Sequence, residues 1–76
     1  MSRYWKPAPW APTHEGHRRE FLYVDHRYWG EIEQFEPSGP CYANTIRGRI
    51  GAMTDVDAAR AAVERTVLQV VRGAAE

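Results

Sequence analysis

Three short segments of alternating side chains, followed by one capped helix, are the feature that most constrains this chain. The segments span 19–24, 28–35 and 41–50, and each is rich in aromatic or β-branched residues. The turn signals between them are Asp25-His26-Arg27 and Glu36-Pro37-Ser38-Gly39-Pro40, the second with prolines that cannot donate to a ladder. The pattern predicts a three-stranded antiparallel sheet.

A single helix is predicted after the third strand, from Asp55 to Arg72. Thr54 supplies a capping hydroxyl, and the acidic residues that follow it suit the positive end of the helix dipole. Gly73 is expected to end the helix. An apolar stripe repeats at three- and four-residue steps: Val56, Ala59, Val63, Val67 and Val70. We therefore expect an α+β fold of order βββα, with the C-terminal helix packed on one face of the sheet.

The first 18 residues have no usable period, because prolines and tryptophans are scattered among charges. They predict an extended arm over 1–18, in front of a single βββα domain over 19–76. Trp5 and Trp10 are costly to leave in water, so the arm has two interpretations. It either folds back over the open face of the sheet or stays exposed.

Composition narrows the class of function. Ten basic and ten acidic residues cancel, and the sequence pI of about 6.8 disfavours a broad nucleic-acid footprint. The single cysteine, Cys41, has no internal disulfide partner, which fits a reducing compartment. The sequence shows neither an export signal nor an apolar run long enough to span a bilayer. We expect a cytoplasmic protein with no membrane association.

No residue group in the sequence has the spacing of a known catalytic or phosphate-binding motif, so we expect no enzyme and no cofactor. Cys41 lies beside a Pro-Gly turn with no flanking nucleophile motif. His14, His17 and His26 are the one group that resembles a metal-ligand set, but the thiolates of structural zinc sites are missing. Surface histidines without a metal are the expectation.

The face of the sheet turned away from the helix is the predicted binding surface. Alternation along the second strand places Trp29, Glu31, Glu33 and Phe35 on one side. Arg47 and Arg49 of the third segment are expected to meet the two glutamates as cross-strand ion pairs. The residues expected to contact a partner protein are Trp29, Glu31, Glu33, Phe35, Arg47, Arg49, Trp5 and Trp10.

Three strands followed by a helix resemble, in fold, the DNA-reading sheets of phage-type integrase arm-binding domains and plant AP2 domains. That resemblance implies a basic sheet presented to a groove, which Glu31 and Glu33 contradict. Nucleic-acid binding through the sheet is therefore the alternative function. Its candidate residues are Arg18, Arg19, Arg27, Arg47 and Arg49.

A second resemblance rests on the stretches 28–32, 39–43 and 57–64, together with Gly51. A Trp-Gly strand, a Gly-Pro turn and a helix with repeated alanines beside Val-Glu look like small proteins encoded by phages and prophages. The resemblance covers about half of the chain. It implies a mobile-element origin and a role as a stoichiometric inhibitor, as in anti-CRISPR and other anti-defence proteins.

The sequence thus favours a small non-enzymatic module that binds a protein partner, because Trp, Tyr and Arg dominate interface hot spots and concentrate in the first 50 residues. Weak nucleic-acid binding is one alternative. A homodimer, formed through an exposed strand edge or the open face, is another.

Overall fold

The computed structural model describes residues 2–8 and 15–75, and these form five strands and one helix. The strands are β1 (Arg3–Pro7), β2 (Arg18–Val24), β3 (Arg27–Gln34), β4 (Cys41–Thr45) and β5 (Gly48–Met53), and the helix is α1 (Val56–Ala75). All the strands join one antiparallel sheet in the order β1-β2-β3-β4-β5. The predicted α+β fold with an antiparallel sheet and a C-terminal helix is confirmed, but the predicted three strands are wrong, because the described sheet has five.

The first additional strand comes from the segment predicted to be an arm. Residues 3–7 pair with β2 in an antiparallel register that sets Trp5 opposite Leu22 and Tyr4 opposite Tyr23. Hydrogen bonds from Asp25 N to Ser2 O and from Ala8 N to Arg19 O extend the pairing beyond both ends of β1. This segment is an edge strand, so Trp5 is fixed by the sheet. Trp10 lies outside the described residues.

The second additional strand arises because the segment predicted as one strand over 41–50 folds back on itself. Residues 46 and 47 form a turn, and Gly48 follows with φ of 123°. The Thr45 hydroxyl fixes the turn, since it accepts a hydrogen bond from Arg47 N and donates one to Gly48 O. Ile46 and Arg47 continue the period-two pattern, which is why alternation alone hides the turn.

The hairpin of β2 and β3 was predicted, and it closes on a two-residue turn. Asp25 and His26 both have positive φ, 50° and 67°, as a tight hairpin turn of the I′ kind requires. The register then shifts, so that Leu22 pairs with Gly30 while Tyr23 pairs with Tyr28. Trp29 is the extra residue of this bulge. It packs against the core beneath α1 and does not share the face of Glu31, contrary to the prediction.

Helix α1 begins one residue later than predicted and continues past Gly73 to Ala75. Its cap is Asp55, not Thr54, because the Asp55 carboxylate accepts a hydrogen bond from Asp57 N and its carbonyl receives Ala59 N. A glycine near a helix end weakens the helix without having to terminate it. Among the described residues, no helix has the length and apolar character needed to cross a membrane.

The hydrophobic core lies between α1 and one face of the sheet. Its buried members are Leu22, Val24, Ile32, Cys41, Ala43, Ala59, Val63 and Val67. Gly30 lets the helix approach, since a Cβ at that position would lie 2.6 Å from Val63 Cγ1 and 2.9 Å from Asn44 O. Cys41 is fully buried in this core, and its burial raises the pKa of the thiol.

Polar contacts fasten the helix to the N-terminal half of the sheet. Arg60 of α1 holds both oxygens of Glu20 on β2, with Nη2 at 2.8 Å from each. Burial disfavours the charge of Arg60, but the hydrogen bonds and negative charge of Glu20 outweigh burial and raise its pKa. Trp5 donates its indole N–H to Glu64 at 3.2 Å. The indole of β1 is thereby placed on the helix side of the sheet.

Candidate binding surface

The outer face of the sheet is the side turned away from α1. Because side chains alternate along each strand, the residues between the buried ones point to this side. The outer-face residues are Tyr4, Lys6, Arg19, Phe21, Tyr23, Tyr28, Glu31, Glu33, Tyr42, Asn44 and Arg49, joined by Phe35 just after β3. The face is therefore rich in rings and charged groups, while the opposite face is mainly apolar.

Three tyrosines form what we call the tyrosine cluster: Tyr4, Tyr23 and Tyr28. The rings of Tyr4 and Tyr23 stack with centroids 5.4 Å apart and planes 14° apart, and Tyr28 meets Tyr23 edge-on at 6.4 Å. Phe21 meets Tyr28 edge-on at 5.0 Å. Tyr28 is 39% exposed, so the cluster presents ring surface to solvent while the ring contacts fix its shape.

The edges of the tyrosine cluster carry polar and cationic groups. The Tyr4 hydroxyl lies 3.0 Å from His26 Nδ1 in the β2–β3 turn. Lys6 places its ammonium 5.5 Å from the centre of the Tyr4 ring, within the range of a cation–π contact. These contacts place the Tyr4 ring, on the edge strand β1, between His26 of the β2–β3 turn and Lys6 of its own strand.

Charged groups on the outer face pair with one another. Arg19 reaches Glu31 with Nε to Oε2 at 2.6 Å, and this hydrogen bond raises the pKa of Arg19. Tyr28 donates its hydroxyl to the same glutamate at 3.2 Å. Burial, and then the negative charge of Glu31, raise the pKa of Tyr28 to about 12. The centre of the face is thus an internally satisfied polar network.

A second group of rings lies near the β3–β4 turn. The His17 imidazole stacks on Phe35 with centroids 5.6 Å apart, and its Nε2 lies 3.0 Å from Glu33 Oε2. Tyr42 meets Phe35 edge-on at 6.1 Å, and the Arg49 guanidinium carbon lies 4.2 Å above the Tyr42 ring. Arg49 also donates to Asn44 Oδ1 at 3.2 Å. This group borders the hollow lined by Phe35, Glu36, Gly39, Pro40 and Tyr42.

Glu31, Glu33, Phe35 and Arg49 of the predicted partner-binding residues share the outer face. Trp10 lies outside the described residues, and the other three predicted residues lie elsewhere. Trp5 and Trp29 are on the helix side, and Arg47 lies in the β4–β5 turn, where it lines a crevice with Trp29. The prediction that Glu31 and Glu33 pair with Arg47 and Arg49 is therefore wrong. Glu31 pairs with Arg19, and Glu33 lies within hydrogen-bond distance of His17.

The arginines of the nucleic-acid alternative are not brought together. Arg18 and Arg19 point to opposite faces of β2, and Arg18 lies 3.6 Å from Glu20. Arg27 and Arg47 belong to the end of the molecule that holds the β2–β3 and β4–β5 turns. Arg49 alone shares the outer face with Arg19. These five arginines are therefore spread over different parts of the surface and do not form a continuous basic stripe.

The histidines do not converge either. His17 precedes β2 and His26 follows it, so the length of that strand separates them. His14 lies outside the described residues. Within the described part of the chain, no three histidine, cysteine or carboxylate side chains are placed to hold a metal ion.

Sequence reasoning missed the tyrosine cluster. In β2, Phe21 and Tyr23 alternate with Leu22 and Val24, and this signal assigns the rings to the face opposite the aliphatic residues. Tyr4 enters the cluster only because residues 3–7 form a strand, which no pattern in that segment predicts.

Comparisons of the chain with models of protein families, with curated proteins and with solved structures find no match. A family relationship therefore carries no part of the functional argument. The chemistry and geometry of the outer face carry it.

Proposed function

We propose that this chain is a non-enzymatic module that binds a protein partner through the outer face of its sheet, with the tyrosine cluster as the principal contact. The observation that carries the proposal is the contact between the rings of Tyr4, Tyr23 and Tyr28 on a face that α1 does not cover. Tyrosine is enriched at protein interfaces because it contributes a large, rigid contact area at a low cost in conformational entropy.

Pre-organisation strengthens the proposal. Each ring of the cluster already contacts another ring, and the Tyr4 hydroxyl is fixed by His26. A surface that is ordered before binding loses less side-chain entropy when the partner docks. The hollow beside Tyr42 offers a second point of contact on the same face, for an apolar side chain of the partner.

The charge on the face favours a protein partner over a polyanion. Glu31 and Glu33 occupy the middle strand and already have partners within this chain, the guanidinium of Arg19 and the imidazole of His17. A surface whose charged groups already have partners needs few counter-charges from a protein that binds it. Binding a phosphate backbone requires a surplus of free cations. The inhibitor role implied by the phage-type resemblance remains a prediction about who the partner is.

One observation supports a second candidate, the binding of single-stranded nucleic acid. Lys6 lies over Tyr4 and Arg49 over Tyr42, so each ring group has a cation beside it. Base stacking on aromatic side chains beside a cation is the usual chemistry of such binding. Fluorescence anisotropy with a labelled oligothymidine at low salt tests this candidate, and an absence of binding there eliminates it.

The principal proposal is tested by capture of a partner with immobilised protein, followed by mass spectrometry. Tyr28→Ser is expected to lose the partner while thermal unfolding stays cooperative and shifts only modestly, because Tyr28 is 39% exposed and loses edge contacts with Phe21 and Tyr23. Ile46→Ser is the matched control, since Ile46 is an exposed apolar residue at the β4–β5 turn, away from the tyrosine cluster. Equal capture by both variants and the wild type would count against the outer face.

A further inference from the structure

The two edges of the sheet differ in how well they are protected against pairing with a strand of another chain. The β1 edge contains Pro7, which has no N–H, and the exposed Lys6, and both residues discourage the pairing of another strand. The β5 edge contains no proline, no lysine and no acidic residue between Gly48 and Met53. An unprotected edge presents unpaired backbone N–H and C=O groups to another chain.

The single charged residue of β5 does not guard its edge. Arg49 turns back over β4, where its guanidinium donates to Asn44 and lies over the ring of Tyr42. What remains at the edge is small or apolar, with Gly51 and Ala52 beside Ile50, which is 38% exposed. Small residues allow the backbone of a second strand to approach closely.

Charges at the two ends of β5 indicate which strand fits. Arg47 precedes the strand and Asp55 follows it, and Gly51 lies midway, four residues from each. Both side chains are exposed, and in the described part of the chain neither makes an ion pair. The Asp55 carboxylate accepts one hydrogen bond, from Asp57 N, which leaves its second oxygen available.

We infer that the β5 edge pairs with the β5 edge of a second copy of this chain, antiparallel and around a two-fold axis at Gly51. That arrangement brings the Arg47 end of each β5 to the Asp55 end of the other, so the same attraction occurs twice. It also places both helices on the same side of one continuous sheet. The outer faces of the two copies become neighbours and stay uncovered.

The pairing is short, because the register shift in β5 makes Ile50 the extra residue of a bulge. A bulge adds twist and limits the number of regular ladder bonds that an edge can offer. The dimer is therefore reversible, and its population depends on concentration.

Sedimentation equilibrium of the full chain, from low micromolar to near-millimolar concentration, tests the inference. The average mass is expected to rise from the 8.7 kDa of one chain toward twice that value. Ile50→Lys places a charge on the edge and should hold the mass at that of a single chain. Gln69→Lys adds the same charge on the exposed side of α1 and should behave as the wild type.

Charge reversal tests the register. Arg47→Asp should weaken the dimer about tenfold, because two attractions become two repulsions. Combining it with Asp55→Arg should restore the wild-type association to within about threefold. Asp55→Arg also removes the cap of α1, so the association is measured at a temperature where circular dichroism shows each variant to be folded. A wild-type mass that stays at one chain at every concentration overturns the inference. A dimer that survives Ile50→Lys overturns the assignment to β5.

Discussion

The two faces of the sheet are made from alternate residues of the same strands, yet their chemistry differs. The helix face carries Leu22, Val24 and Ile32, which α1 buries almost completely. The outer face carries rings and charged groups that contact one another and have no helix over them. Strand alternation thus places the buried core on one face of the sheet and the proposed binding surface on the other. Changes on one face should alter unfolding, and changes on the other should alter binding.

The largest effect is expected at Ile32, which is fully buried beneath α1. Ile32→Ala should lower the free energy of unfolding by about 3 kcal/mol, because it removes buried carbons and leaves a cavity. Urea unfolding followed by circular dichroism measures this loss. Glu33→Ala, one residue further along β3 but on the outer face, should cost only about 1 kcal/mol, the loss of the contact with His17. Losses of equal size at the two positions would mean that the two faces of the sheet contribute equally to stability.

Gly30 tests how closely the helix must approach the sheet. Gly30→Ala should cost about 2 kcal/mol, because its Cβ would lie 2.6 Å from Val63 Cγ1 and 2.9 Å from a carbonyl oxygen. Gly73→Ala is the matched control, since its Cβ would meet nothing within 4 Å, and it should stabilise the helix slightly. Thermal unfolding compares the two. A neutral Gly30→Ala variant would mean that α1 can move away from β3 at little cost.

Arg60 tests the polar attachment of α1 to β2. Arg60→Ala should cost about 1 kcal/mol, because Glu20, with a side chain 16% exposed, loses the hydrogen bonds to both of its oxygens. Arg65, exposed on the same helix, serves as the control, and Arg65→Ala should change the free energy of unfolding by less than about 0.5 kcal/mol. If the two alanine variants unfold alike in urea, the Arg60 bridge contributes nothing beyond helix propensity.

The smallest effect is expected from Tyr28→Phe, which keeps the ring and removes the hydroxyl. In the unfolded chain this tyrosine titrates near its ordinary pKa of 10.0, whereas in the folded protein its pKa is about 12. Between these values the unfolded state binds fewer protons, so the free energy of unfolding falls as pH rises. The free energy of unfolding of Tyr28→Phe should fall less steeply with pH over this range, and at neutral pH it should match that of the wild type. Parallel pH profiles would contradict the burial of the Tyr28 hydroxyl beside Glu31.

The parts of the fold that could be predicted are those with local signals. The Asp25-His26 turn, the proline-rich turn at 36–40 and the apolar stripe of α1 each have a chemical cause within a few residues. Strand β1 could not be predicted, because its five residues show no clear alternation and gain their structure from pairing with β2. The β4–β5 turn was hidden because Ile46 and Arg47 continue an alternating pattern.

The candidate site was predictable to a similar degree. Alternation assigned Glu31, Glu33 and Phe35 to one face, and the structure places them on the outer face. The face that alternation assigned to Trp29 is wrong, because the bulge after the hairpin turn places that ring on the helix side. The tyrosine cluster depends on pairing between strands distant in sequence, with Tyr4 set beside Tyr23. No pattern within one segment carries that information.

Hydroxyl-radical footprinting of the captured complex shows whether the tyrosine cluster is the contact surface. Tyr4, Tyr23 and Tyr28 are expected to react less with the radical in the complex than in the free protein. Trp5 and Trp29, on the helix side, should react equally in both states. Protection confined to the tryptophans or to α1, with the tyrosine cluster unchanged, would contradict the outer face as the binding surface.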